Sequence, residues 1–360
     1  MANLSVVIAP DSFKGTLSAA HVSDAIADGW REVRPHDDLH LLPQADGGEG
    51  TLDAVRAARP DARPHEVDEI TGPDGRLVRG CWLELDKTTA VIEMAQVSGL
   101  PMMESPDPLG ATSTGVGQLV AAALDHGCRT VIIGLGGSAS TDGGAGALSA
   151  LGLRLLDTQG RQLPVGGGAL RTLSSLEGRP RRPEELILLT DVTAPLLGDQ
   201  GAAAVFGPQK GAGRDDITVL EAGLRRWSDL LGGPNDLAGM GAAGGIGYGL
   251  ARGLGGRIVP GAPYVSDVSG LTRAVKTADV IISGEGRFDA TSLGGKVVGH
   301  ALELASATSA RRMVVAGQVA TSVADVWSRA LVDLAGSAAA AMADPRRWLI
   351  QAGRDAAAHL

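Results

Sequence analysis

Residues 4 to 9, LSVVIA, form a run that is apolar and β-branched apart from Ser5 and stops at Pro10 and Asp11. A short run with no polar alternation predicts a buried parallel strand followed by a loop. Helical spacing of apolar positions then covers about Ser18 to Val33. The pattern recurs along the chain. A strand is expected at 38 to 42, then the loop ADGGEG and a helix from Thr51, while RTVIIG at 129 to 134 leads into a glycine-rich loop and a helix. Further strands are expected at LILLT (186 to 190), DVIISG (279 to 284) and MVVAG (313 to 317). Strands alternating with helices predict an α/β fold.

Two stretches break this rhythm. From Thr71 to Met94 a PDG turn joins two strand-like runs with no helix between them, the mark of a domain border or an inserted antiparallel element. Between 232 and 263 Gly and Pro crowd around GGPNDL, GMGAAGGIGYG and VPGAP, and helical spacing resumes near Tyr264. In the Ala-rich tail, Asp344 and Pro345 suit the N-cap and first position of a last helix.

The 360 residues, 44% hydrophobic and 20% charged, suffice for two packed domains. With 52 glycines and only 3% aromatics, the cores must lean on Ala, Val, Leu and Ile between many tight turns. A formal charge of -9 with no Lys/Arg block argues against nucleic acid as a partner. Any anionic ligand must therefore find its positive charge concentrated locally. Cys81 and Cys128 form no zinc or redox spacing, which suits buried thiols in a reducing compartment. There is no basic leader and no apolar stretch near 18 residues, so no membrane partner and a cytoplasmic location are expected.

In parallel α/β sheets ligands bind beyond the carboxyl ends of strands, which directs attention to five loops. The first, PDSFKG, carries Asp11, Ser12 and Lys14; the second, ADGGEG, carries Asp46 and Glu49. The third, GLGGSASTDGGAG at 134 to 146, has the makings of an anion cradle, with Gly136, Gly137, Gly143 and Gly144 for close backbone approach, the hydroxyls of Ser138, Ser140 and Thr141, and Asp142. The fourth begins at Asp191, and the fifth, GEGRFD, carries Glu285, Arg287 and Asp289 with Lys296 beyond. Strand-end carboxylates can ligate Mg²⁺ or take a hydroxyl proton, although a single Asp serves as often to cap a helix or form a turn. Lys14 and Lys296 fit neutralisation of phosphate or carboxylate.

No Walker A loop and no G-x-S-x-G elbow occur. The G-x-G-x-x-G at Gly239, Gly241 and Gly244 follows a turn region rather than a strand, so it lacks the context of a dinucleotide fingerprint. His36 and His40 have no further Cys or His nearby and read as surface residues.

Taken in order, PDSFKGTLSA, ADGGEGT, GLGGSASTDGGAGAL, GAAAVFGPQKGA, GAAGGIGYGL and ISGEGRFDATSLGGK closely resemble the bacterial glycerate kinase family, from about residue 5 to about 317. The resemblance implies two α/β domains. One is discontinuous and Rossmann-like, from 1–72 and 276–360; a flavodoxin-like domain, 73–275, is inserted in it, with the active site in the cleft between. It also implies ATP, Mg²⁺ and D-glycerate, with 2-phosphoglycerate as product, and a homo-oligomer is compatible with it. Under this reading Asp191 takes or orients the glycerate hydroxyl proton, and Lys14 and Lys296 neutralise phosphate and carboxylate oxygens. Gly136 to Gly144 hold the nucleotide phosphates, and Ser12, Asp46 and Glu285 touch substrate or metal. Thr141 stands where the family often has Asn, and Ala194 where it often has the Asn of D-V-x-N-P. A kinase for another small hydroxy acid, a nucleotide-binding sensor without turnover and an NAD-dependent oxidoreductase are the alternatives.

Overall fold

The structure is a computed structural model and describes residues 3–360. The chain divides into two compact units. The first takes the residues up to Asp46, Asp53–Pro60 and Gly261–Leu360; the second takes Gly47–Leu52 and Asp61–Pro260.

The first unit is built on five parallel strands: β1 (Ser5–Ile8), β2 (Asp38–Leu41), β11 (Val280–Phe288), β12 (Arg311–Val319) and β13 (Val326–Ala330). They lie in the order β13-β12-β11-β1-β2. As the apolar run Val6 to Ala9 requires, its side chains are buried on both faces. Val6 and Ile8 pack with Val22, Ile26, Trp30 and Leu349 of the helices Ala19–Val33 and Pro345–Ala358. Val7 and Ala9 pack on the other face with Leu271, Val275 and Ala301. Each buried Val, Leu or Ile among them contributes about 1.5–3 kcal/mol of burial. The sheet's rigidity fixes the loops that leave its carboxyl edge. Asp344 caps the last helix by accepting from Arg347 N, with Pro345 in its first turn.

The second unit holds a six-stranded mixed sheet of β3 (Arg63–Thr71), β4 (Leu77–Asp86), β5 (Thr89–Glu93), β6 (Thr130–Gly134), β9 (Glu185–Leu189) and β10 (Arg257–Val259). Its order is β10-β9-β6-β5-β4-β3, with the two β4 pairings antiparallel and the rest parallel. The strands β7 (Arg154–Leu156) and β8 (Ser175–Glu177) form a separate pair. Ile92, Val131, Ile133 and Leu188 share one core with Val116, Leu119 and Val120 of the helix Thr114–His126. Among the described residues no helix is long and apolar enough to cross a membrane.

The unit borders differ from the sequence expectation of 72/73 and 275/276. The β3–β4 hairpin joins the second unit because β4 pairs with β5. Residues 261–275 join the first because Leu271 and Val275 pack beneath β1 and β11. A second correction concerns 232–263. Where glycine density suggested turns, the structure has the buried helix Ala242–Leu254 and then β10. That helix enters through left-handed backbone at Ala243, Gly244 and Gly245 (φ 56°, 67° and 88°), which explains the glycines without making them a nucleotide fingerprint.

Candidate functional site

In the first unit the loops after β1 and β2 and the carboxyl-terminal half of β11, where the sequence had suggested a loop from Gly284, bring charge together. Asp11 N donates to Gly284 O at 2.8 Å, which ties the loop after β1 to β11. Phe13 is buried and pairs with Leu17, so the tight turn between them leaves Lys14 exposed. The Asp11 carboxyl is pushed up to about 7, first by burial and then by the charge of Asp46. Donation from Ser12 N, at 2.6 Å, and the Lys14 ammonium oppose this, while Glu285 adds to it. Glu285, within β11, is also raised, first by burial, against the pull of the Ser292 hydroxyl, Lys296 and Lys14. Its Oε1 is buried with no hydrogen-bond partner among the described residues.

Three carboxylates, one of them pushed by burial toward its neutral form and one with an orphaned oxygen, form a cluster that a cation would relieve. An all-oxygen donor set of this kind suits a hard ion such as Mg²⁺. Lys14, Ser12, Asp46, Glu285 and Lys296 thus belong to one electrostatic neighbourhood. Asp11 joins them, a member that sequence reasoning noted without assigning it a role; the signal was its place as the first polar residue after a fully buried strand.

In the second unit the glycine-rich loop leaves β6 under a close crossing. A Cβ on Gly136 would lie 2.2 Å from Gly48 Cα, and one on Gly134 2.6 Å from Gly47 O, so the two glycine loops touch backbone to backbone. Glu93, at the end of β5, fixes the partner segment by accepting from Gly50 N and Leu52 N at 3.1 and 3.0 Å. Asp142 is fully buried and spends its carboxylate inside the loop, accepting from Ser113 N and Oγ and from Gly144 N and Gly146 N. It sets the loop's shape rather than facing a ligand. Gly143 is likewise enclosed, with its carbonyl accepting from Trp227 Nε1 at 2.9 Å, and Gly144 leads into the short helix Ala145–Ala150.

The remaining stretch, Gly137 to Thr141, keeps the features of a cradle. The hydroxyls of Ser140 and Thr141 are buried with no hydrogen-bond partner among the described residues. Beneath them lies Lys210, 1% exposed, whose Nζ donates to Ser138 Oγ at 2.7 Å and to Ser140 O at 2.5 Å. Burial pulls this ammonium down to about 7, with only the Asp142 charge opposing. A Cβ on Gly244 would lie 2.1 Å from Ser140 O, so the entry of the helix Ala242–Leu254 presses directly on the cradle. Lys210 was missed in the sequence. The available signal was its rarity, since only 5 of the 32 basic residues are lysines and this one sits in GPQKGA. Asp191 follows β9 and Thr190 as the sequence placed it, half-buried, in the same unit.

The chain matches the model of the glycerate kinase family over residues 6–360. It is 42% identical over 306 residues to the glycerate 2-kinase of Escherichia coli K12, covering 82% of this chain and 80% of that protein. It is 42% identical over 305 residues to the glycerate kinase of Bacillus subtilis 168, covering 81% and 79%. A crystal structure from Salmonella typhimurium LT2, provisionally described as glycerate kinase 2, superposes with a TM-score of 0.85 at 38% identity, over 99% of this chain and 98% of that one. With a family match over nearly the whole chain and relatives of this identity, the chain belongs to the glycerate kinase family and is an enzyme of the kinase class.

Proposed function

We propose that this enzyme transfers the γ-phosphoryl group of ATP to the C2 hydroxyl of D-glycerate, releasing ADP and 2-phosphoglycerate. The observation that carries the reading is the cluster of Asp11, Asp46 and Glu285 faced by Lys14 and Lys296. Phosphoryl transfer needs its charge managed more than it needs covalent chemistry, and this cluster supplies both signs. Asp11, Asp46 and Glu285 would hold Mg²⁺, which when bound draws charge from the phosphate oxygens. Lys14 and Lys296 neutralise phosphate and the glycerate carboxylate. In the transfer the glycerate oxygen bonds to phosphorus as the bond to the ADP oxygen breaks, and the hydroxyl proton passes to the Asp191 carboxylate.

The loop Gly136–Gly144 receives the nucleotide phosphates. Ser138, Ser140 and Thr141 face them, while Lys210, Asp142 and Gly143 hold the loop in shape. The relative named glycerate 2-kinase supports the C2 position. ATP as donor suits a cytoplasmic location. Ala194, which removes an amide from the loop after β9, favours a second reading in which another small hydroxy acid is the acceptor.

The test is ADP release from Mg-ATP with D-glycerate, L-glycerate and a panel of small 2-hydroxy acids. D-glycerate should give the highest kcat/KM. Preference for another acid by more than about tenfold, a margin a single lost polar contact can produce, would move the assignment there. ATP binding without release for any acceptor would make the chain a sensor.

A further inference from the structure

The phosphoryl-transfer site uses none of three side chains that meet elsewhere in the second unit. In the antiparallel pair β3–β4, His65 lies opposite Trp82 and Arg63 opposite Glu84, so His65 and Glu84 are diagonal neighbours on one face. The helix Thr114–His126 packs along these strands and ends at His126. His65 Nε2 lies 2.7 Å and His126 Nε2 3.3 Å from the same oxygen, Glu84 Oε2. One donor atom from each of the three residues lies within 4.8 Å of the others.

The imidazoles are held in place. The His65 ring stacks on Trp82 at 4.2 Å and 9°, and Trp82 is 2% exposed, which makes it a fixed platform. His126 packs against both rings, at 4.4 Å from His65 and 5.3 Å from Trp82. Ligand rings fixed by neighbours before metal arrives are what a metal site requires.

Access is graded. The Glu84 side chain is 11% exposed, His65 26% and His126 44%, so the carboxylate is shielded while the His126 side opens to water. A cation there also sits at the carbonyl end of a helix, where the macrodipole favours positive charge.

Two imidazole nitrogens and one carboxylate are the donor set of three-ligand zinc sites that keep a position for water. Tetrahedral coordination at the usual bond lengths places ligand atoms about 3.4 Å apart. The His126–Glu84 separation is already there, and the His65–Glu84 separation has to open by about 0.7 Å, within the reach of a small side-chain rotation. We propose that His65, Glu84 and His126 bind a divalent transition metal of the zinc class, completed by water, that clamps the β3–β4 hairpin to the end of the helix Thr114–His126.

The test uses the full chain, stripped with a chelator and exchanged into metal-free buffer without nucleotide. Zn²⁺ is titrated against a chromophoric chelator, and Co²⁺ is added separately to read its visible spectrum. One equivalent of Zn²⁺ should bind with a Kd on the order of 10 μM or tighter. Co²⁺ should show the intense bands of a low-coordinate site. His126→Ala, at a half-exposed helix end and so expected to keep its fold, should weaken Zn²⁺ by at least about tenfold, and His65→Ala likewise. His40→Ala, on the surface beside Asp38, should change nothing. No stoichiometric binding at 1 mM Zn²⁺, or equal binding by wild type and the His65→Ala/His126→Ala double variant, would leave the trio a hydrogen-bonded clasp and overturn the proposal.

Discussion

Replacing Lys210 by Met separates what this residue costs the fold from what it gives the loop. Its ammonium falls from 10.5 in the unfolded chain to about 7 in the folded one because it is fully buried. Keeping the charge inside therefore costs on the order of 5 kcal/mol. The folded pKa lies below the unfolded one, so between pH 7 and 10.5 the unfolded chain holds more protons. Stability therefore rises with pH across that window, by up to about 1.4 kcal/mol per unit, and the full cost stands below pH 7. Methionine removes the charge and fills most of the volume, but it gives up the bonds to Ser138 Oγ and Ser140 O, worth about 1.5–3 kcal/mol each for a charged donor. The two effects nearly offset. Lys210→Met should fold, with a stability within about 2 kcal/mol of wild type near pH 6.5. The assay is urea unfolding of both proteins at about pH 6.5, 8 and 9.5, followed by tryptophan fluorescence, with the stability difference taken at each pH. The difference should shift in favour of wild type as pH rises, and the variant should show a raised KM for ATP because the cradle has lost its support. A pH-independent difference, or an unchanged KM, would refute the reasoning.

Asp191→Asn should lower kcat by about 100-fold or more while circular dichroism stays unchanged; near-normal turnover would remove Asp191 from the proton's path. Gly244→Ala should cost about 2–4 kcal/mol in urea unfolding, because its Cβ meets Ser140 O at 2.1 Å from a left-handed backbone; a cost below about 0.5 kcal/mol would mean that the helix entry does not press on the loop. Asp11 holds its proton more tightly folded than unfolded, so its contribution falls as pH rises from about 4 to 7. Asp11→Asn should accordingly be more stable than wild type at pH 8 without Mg²⁺, and Mg²⁺ should raise its melting temperature less. Equal Mg²⁺ shifts in the two proteins would take Asp11 out of the metal's surroundings.

The elements that could be read from sequence are those whose pattern is local. LSVVIA had to be a strand buried on two faces, and Val6/Ile8 and Val7/Ala9 do enter separate cores. The PDG turn became the β3–β4 hairpin, and Asp344-Pro345 became a helix start. What escaped depends on partners distant in the chain. Lys210 lies 70 residues from the Ser140 carbonyl it supports, and in a Gly/Pro loop a lysine ordinarily points to water. The glycines at 244 and 245 signalled a break because their density matches turns, whereas they serve a helix that enters against a neighbouring backbone. Asp142, placed among the phosphate ligands for its position in the loop, turns its carboxylate inward because four donors of the loop and of Ser113 surround it. His65 and His126 are 61 residues apart and share no spacing rule; only the β3–β4 register and the helix end bring them to one carboxylate.

The measurement that bears most directly on the central claim is phosphorus NMR of the product formed from Mg-ATP and D-glycerate by the wild-type enzyme. The account predicts a glycerate-dependent resonance of 2-phosphoglycerate growing in step with ADP. A 3-phosphoglycerate resonance, or ADP with no phosphorylated glycerate, would contradict it.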